Sequence, residues 1–223
     1  MKVLGLDPSL TAFGWAVCDL SQTGASRCVA RGRYHTTAKD LFVDRYIYLR
    51  EQVETLVREQ KPDFVGLESS VFHAHQSEAL YALFTNVCEA LKKSKMDVVF
   101  LTPPQVKAHA RLFLGRPQSP KWVMKKPDMI EAARADTGGK GRWTGDEADA
   151  YWVASISSRF WQFYKGDLIE SDLTSEELQH FCHVHTYTKG ARAGQVVKQG
   201  LIHRKGERFY LWSGGSNGSS SQI

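Results

Sequence analysis

Three short apolar runs joined by brief turns, followed by single helices alternating with single strands, leave this chain few ways to fold. The first run, Lys2-Val-Leu-Gly-Leu-Asp7, reads as a buried strand that ends on a carboxylate. Residues 12–19 and 27–35 read as two more strands, with turn residues at Ser21-Gln-Thr-Gly24 between them. A helix from about Lys39 to Gln60 follows. There Leu41, Tyr48, Leu49, Val53, Leu56 and Val57 recur at helical spacing, and Lys61-Pro62 stops it. Asp63-Phe-Val-Gly-Leu-Glu68 is a fourth strand that again closes on an acid. A helix over about Gln76–Lys93, a strand over Val98–Leu101 and a short helix opened by Pro103-Pro104 come next. Residues 115–126 read as a loop, and helices are expected at about 127–136 and 145–164. A meander of three strands, then strands separated by helices, predicts an α/β mixed five-stranded sheet flanked by helices. Its first half is antiparallel and its second half parallel.

The 223 residues suffice for one substantial domain and a small appendage. No run is long enough for a membrane helix, and Asp7 interrupts the first apolar stretch before a signal sequence could form. The four cysteines contain no C-x-x-C pair and read as reduced thiols of a cytoplasmic protein. Net charge is +5 with histidines neutral. The distribution is more telling: Lys107 to Arg142 carries nine lysines and arginines against Asp128, Glu131 and Asp136. A second basic stretch runs from Lys189 to Arg208. Such stretches are either a solvated face or a surface for a polyanion.

The carboxylates decide between these readings. Asp7 ends strand one and Glu68 ends strand four; if the two strands are parallel neighbours, both acids emerge at one edge of the sheet, where open α/β folds place their sites. Asp146 and Asp149, three residues apart, share one face at the start of the last long helix, whereas Glu147 points elsewhere. Taken singly, each acid is an ordinary turn former, cap or exposed strand end. Taken together, four carboxylates repel unless cations neutralise them, and an all-oxygen set suits Mg²⁺ or Mn²⁺. Two such ions about 4 Å apart activate water and stabilise the leaving oxygen in phosphodiester hydrolysis.

Gly5-Leu-Asp-Pro-Ser9 with Thr11 and Gly14-Trp-Ala-Val17 resembles the opening of RuvC-type Holliday junction resolvases, which have the RNase H-like fold. Gly66-Leu-Glu68, Pro104-Gln-Val-Lys107 and Asp146-Glu-Ala-Asp149 follow in the family's order. The resemblance covers residues 1–165. It implies a homodimeric, Mg²⁺-dependent endodeoxyribonuclease, with Mn²⁺ able to substitute and two ions per site, that makes paired symmetric nicks in four-way DNA junctions. It makes Asp7, Glu68, Asp146 and Asp149 the metal-binding acids, and Lys125 or its neighbour Lys126 the active-site lysine. Phe72, one residue later than the family's aromatic, becomes the candidate junction wedge. The helix over Gln76–Lys93, through Tyr81, Leu83, Phe84 and Val87, becomes the candidate dimer interface.

With a nuclease in view, Lys107, Lys121, Trp122, Lys126 and Arg142 become candidate DNA contacts, cations for the backbone and an aromatic for a base. Arg142 and Trp143 are expected to line the groove. Residues 166–213 lie outside the family pattern and read as a small basic extension. It holds a helix over 174–181 with a capping start at Thr174-Ser-Glu-Glu177. A hairpin of Gln195–Ile202 with Arg208–Trp212 follows, turning around Arg204-Lys-Gly-Glu207. The spacing of His180, Cys182, His183 and His185 fits no zinc finger and reads as a strand. Residues 214–223 read as a flexible tail. Such an extension suits a divergent phage or viral member acting in the bacterial host cytoplasm. Two alternatives remain: a broader nuclease of forks and flaps, and a junction-binding protein that does not cut. An actin-like ATPase, which also begins with Gly-x-Asp and a hairpin, is disfavoured, since it needs two related lobes and a second phosphate loop and this chain is short and repeats nothing.

Overall fold

A computed structural model describes residues 1–20, 26–69, 78–115, 123–139, 141–186, 196–200, 202–205, 208–212 and 220–222. The five expected strands are β1 (Lys2–Asp7), β2 (Ala12–Leu20), β3 (Ser26–His35), β4 (Phe64–Glu68) and β5 (Val98–Leu101). β1 pairs antiparallel with β2, and β2 with β3; β4 lies parallel to β1 on its other side, and β5 parallel to β4. The meander and the parallel half thus meet at β1, which is central.

The alternation along β1 assigns each residue to a layer. Leu4 and Leu6 join Val65 and Leu67 on the face covered by α1 (Phe42–Gln60) and α2 (Glu78–Lys93). Val3, Phe64 and Val99 face the other way, toward α5 (Gly145–Lys165), with α3 (Pro103–Phe113) and α4 (Lys126–Asp136) beside it. α5 is the spine of this layer, with thirteen of its residues buried, Trp152 and Tyr151 the largest among them.

Several sequence expectations change. α1 starts at Phe42 because Thr37–Asp40 forms a turn: the Asp40 carboxylate accepts from Thr37 N at 3.0 Å. Leu41 and Tyr48 are exposed, and Tyr46 takes the buried phase. On α2, Leu83 and Val87 are wholly buried against the sheet, so neither is free for an interface, whereas Tyr81 is 58% exposed.

Beyond Lys165 the chain stays on the same core. α6 (Ser175–Phe181) opens with the expected capping box, Thr174 N donating to Glu177 Oε2 at 2.9 Å and Glu177 N to Thr174 Oγ1 at 3.1 Å. Phe181 is buried against Phe160 and Phe163. Arg159 of α5 donates to Glu177 at 3.0 Å, and Arg111 of α3 pairs with Glu176. His109, buried between them, lies 3.1 Å from Ser155 Oγ; burial pushes its pKa down to about 4, so the ring is neutral.

The later strands pair differently from expectation. β6 (Cys182–Thr186) does form across the histidine-rich segment, but it takes β7 (Val196–Gly200) as its partner. The hairpin strand opposite β9 (Arg208–Trp212) is therefore β8 (Ile202–Lys205), and Arg204 and Lys205 are ladder residues, not turn. β8 also pairs with the outer edge of β5, through Val98↔Arg204 and Val99↔His203. The reason is general: a bare edge strand presents unpaired backbone groups that a following segment can satisfy. Within the expected tail, β10 (Ser220–Gln222) pairs with β9, extending the main sheet to eight strands. No described helix is long and apolar enough to cross a membrane.

Candidate active site

Period-two alternation places Asp7 on the same face as Val3 and Gly5, and Glu68 on the same face as Phe64 and Gly66. Both acids therefore point toward α5. The parallel register runs Val3↔Phe64 through Leu6↔Leu67, so Asp7 and Glu68 are the next residues of two adjacent strands.

α5 delivers the other two acids, and three glycines seat it. A Cβ on Gly5 would press on the Ala150 carbonyl and stand 2.5 Å from Ala154 N. One on Gly14, which pairs with Asp7, would press on the Asp146 carbonyl, and one on Gly66 on the Ser157 hydroxyl. Backbone-to-backbone approach at these points lowers the first turn of α5 onto the acid-bearing strand ends. Thr144 caps that turn: Thr144 N donates to Glu147 Oε2 at 2.9 Å and Glu147 N to Thr144 Oγ1 at 3.3 Å. Glu147 is thereby occupied in the cap, as its position on the helix predicts.

The resulting electrostatics are those of crowded, half-buried acids. Burial, then Glu68, Asp149 and Asp146, push the Asp7 carboxyl well above the usual carboxylate range, with Lys126 opposing. Glu68 is pushed up to about 7, by burial first and then Asp149, while Lys107 and Lys126 pull it down. Asp149 is pushed up to about 6 by burial, with Lys126 the largest opposing charge. Each pair of neighbours resists simultaneous ionisation.

Two lysines answer this charge. Lys126, the first residue of α4, places Nζ 2.7 Å from Asp146 Oδ1, and that bond raises the ammonium pKa. Lys107 projects from α3, exposed, close enough to bias Glu68 and Asp149. Of the two lysines expected here, Lys125 is the N-cap of α4: its backbone N donates to Asp128 Oδ2 at 2.9 Å and its side chain is exposed. One residue of helix is a rotation of about 100°, enough to exchange the two lysines.

Arg33 is a site residue that sequence reasoning missed. It pairs across the strands with Gly14, and Nη1 stands 3.8 Å from Asp146 Oδ2. Arg142 is exposed and its carbonyl accepts from Arg31 Nη2 at 3.4 Å. Trp143 does not line a groove: it is buried, edge-on to Tyr151 at 5.4 Å, with the Arg31 guanidinium 3.8 Å above its ring. Phe72, Lys121 and Trp122 lie outside the described residues. Among the described residues no three acid, imidazole or thiol groups stand as a ready-made cage for an ion. The donor set still fits a hard divalent cation, being oxygen-only, half-buried and short of positive charge. A cavity of about 290 Å³, lined by Pro103, Pro104, Lys107, Ala108, Arg111, Val123 and Met124, opens beside Lys107.

The family model described as "Crossover junction endodeoxyribonuclease RuvC" matches residues 3–116, a stretch that includes Asp7, Glu68 and Lys107 and stops short of Lys126, Asp146 and Asp149. A crossover junction endodeoxyribonuclease RuvC from Gloeobacter violaceus is 30% identical over 110 residues, 48% of this chain and 62% of that protein. One from Rickettsia conorii is 29% identical over 80 residues, 36% of this chain and 50% of that protein. The matches thus span between half and two thirds of these relatives' length. Among solved structures, Thermus thermophilus RuvC superposes with a TM-score of 0.58 at 20% identity, over 71% of this chain and 94% of that one. The same protein in complex with a Holliday junction substrate gives 0.56 at 21% identity, with the same coverage. The yeast mitochondrial Holliday junction resolvase Ydc2 gives 0.50 at 15% identity, over 72% of this chain and 78% of that one. These likenesses establish a shared RNase H-like fold.

Proposed function

This chain belongs to the RuvC family of crossover junction endodeoxyribonucleases, and from that membership we propose that it cuts four-way DNA junctions by metal-dependent phosphodiester hydrolysis. The observation that carries the reading is the convergence of Asp7, Glu68, Asp146 and Asp149 on one edge of the sheet. There burial and mutual repulsion raise the pKa of three of them. These four would hold two Mg²⁺ ions, with Mn²⁺ able to substitute. Divalent cations in such a site lower the pKa of bound water and stabilise the leaving oxygen.

The chain's own residues supply the rest. Lys126, held on Asp146, and Lys107, on the opposite flank, orient a phosphodiester and screen its charge as the strand approaches the acids. Arg33 balances Asp146 from the meander side, so that a polyanion is not repelled there. Most binding energy comes from phosphate contacts and junction shape, which makes affinity fall steeply with salt.

Paired nicks require two sites related by a two-fold axis, and we read the protein as a homodimer. Exposed Tyr81 on α2, with Phe42, Val43 and Ile47 on neighbouring α1, offers the apolar surface. The added strands beyond α6 are the feature on which we read the chain as a divergent, phage-type member.

The test is a cleavage assay on labelled four-way junction, fork, flap and linear duplex, with Mg²⁺ and with chelator. Symmetric, ligatable nicks confined to the junction are expected. Equal cutting of forks and flaps makes the protein a general debranching nuclease; tight binding without cutting in either cation refutes the catalytic reading.

A further inference from the structure

Behind the acidic helix lies a pair of thiols that nuclease chemistry does not use. Cys18 on β2 and Cys28 on β3 are direct cross-strand partners. Opposed residues of antiparallel strands have Cα atoms about 4.5–5.5 Å apart, inside the roughly 4.4–6.8 Å span that a disulfide bridges. Both side chains join the apolar layer beneath α5, so they share a face. Cys18 is fully buried and Cys28 half-buried, so Cys28 is the more accessible of the two.

A β-bulge sets the chemistry of this pair. The ladder runs Val17↔Ala30 and then Cys18↔Cys28, so Val29 is the extra residue. In an unbroken strand Cys28 and Arg31 would point to opposite faces. The extra residue resets the phase and puts both on the α5 side. The Cys18 thiol hydrogen-bonds the Cys28 sulfur and the Arg31 guanidinium lies against it; both lower the Cys28 pKa, against burial. The same guanidinium stacks on Trp143 and donates to the Arg142 carbonyl, in the segment that leads into α5.

We propose that Cys18 and Cys28 form an oxidisable dithiol, a modification site for hydroperoxides at which Cys28 reacts and Cys18 resolves. The Cys28 thiolate attacks the distal peroxide oxygen; the O–O bond breaks, and the alkoxide leaves with the proton that Cys28 gave up. The Cys18 sulfur then attacks the resulting sulfenic acid, an S–S bond forms, and hydroxide leaves with the Cys18 proton as water. Two thiols and one hydroperoxide thus yield one disulfide, one alcohol and one water. Bridging the strands removes the Cys28 thiol that Arg31 lies against, and so reaches the segment that Arg31 holds, which leads into α5.

The full-length protein is treated with tert-butyl hydroperoxide, quenched with an alkylating agent, cut with trypsin and weighed by mass spectrometry. Cleavage after Lys2, Arg27 and Arg31 places the two cysteines on separate peptides, so their linkage is read directly. The expected result is a Cys18–Cys28 cross-link in the wild type and in a Cys88→Ser/Cys182→Ser variant, formed at least about tenfold faster than oxidation of Cys88. Cys18→Ser should leave Cys28 as a sulfenic acid trapped by dimedone, and Arg31→Gln should slow the reaction about tenfold. Linkage to Cys88 or Cys182 instead, or a Cys28 no faster in the native protein than in urea, overturns the proposal. The readout is covalent and independent of DNA cleavage.

Discussion

Asp7→Asn is expected to lower junction cleavage by about 10³-fold or more, as loss of a group acting on transition-state charge does, and at the same time to stabilise the metal-free protein at pH 8. The second half follows from the sign of the pKa shifts. Asp7, Glu68 and Asp149 all titrate higher in the fold than in the unfolded chain. Such groups favour the fold while protonated. That contribution is complete below their unfolded values, near 4, and is lost as pH rises through the folded ones, about 6 for Asp149 and about 7 for Glu68. In chelator, the wild-type melting temperature should therefore fall between pH 5 and pH 8. A loss of a few kcal/mol corresponds to roughly 5–10 °C for a domain of this size. The amide removes one charge from the cluster, so the variant should fall less. Millimolar Mg²⁺ or Mn²⁺ should restore the wild type at pH 8 and do little for the variant. Differential scanning calorimetry at the two pH values, with and without cation, reads all of this. A variant less stable than wild type at pH 8 without metal would contradict the crowded-acid picture.

The second large effect is expected where no functional group is touched. Gly5→Ala and Gly14→Ala each place a methyl group into helix backbone: the Ala150 carbonyl in one case and the Asp146 carbonyl in the other. Neither obstacle is a side chain that can swing aside, so α5 must lift. A cost of about 3 kcal/mol or more is expected for each, at the upper end of overpacking. Gly32→Ala is the control, because the nearest atoms its methyl group would meet belong to the Trp15 side chain, at 2.8 Å, and not to backbone. Gly14→Ala should also lose cleavage beyond its loss of stability, since Asp146 moves with the helix. Urea unfolding curves, paired with cleavage rates at a temperature where each variant remains folded, separate the two effects.

The acids were legible from the sequence because strand periodicity and helix periodicity are both simple. An acid that closes an apolar run comes out at a strand end, and two acids three apart share a helix face. The cations were harder. Arg33 sits on a strand whose phase is reset by the bulge at Val29, and no pattern in Ser26–His35 announces that shift. Lys125 and Lys126 differ only in which begins the helix, and a Lys-Lys-Pro start leaves that choice to capping. On α2 the amphipathic stripe marked Leu83 and Val87 as apolar without saying whether sheet or partner covers them. The pairing of β8 with β5 depends on an open edge that exists only once the sheet has formed.

The seating of α5 has a consequence for biosynthesis. Asp7 and Glu68 leave the ribosome with the first half of the chain, but Asp146 and Asp149 arrive only after β1 to β5 have all been made. The glycine contacts then admit the helix only against correctly paired strands. An interrupted chain that ends before Gly145 carries two acids and no means of gathering the others. The four-acid cluster is therefore completed late and all at once, when α5 is laid onto strands that are already paired.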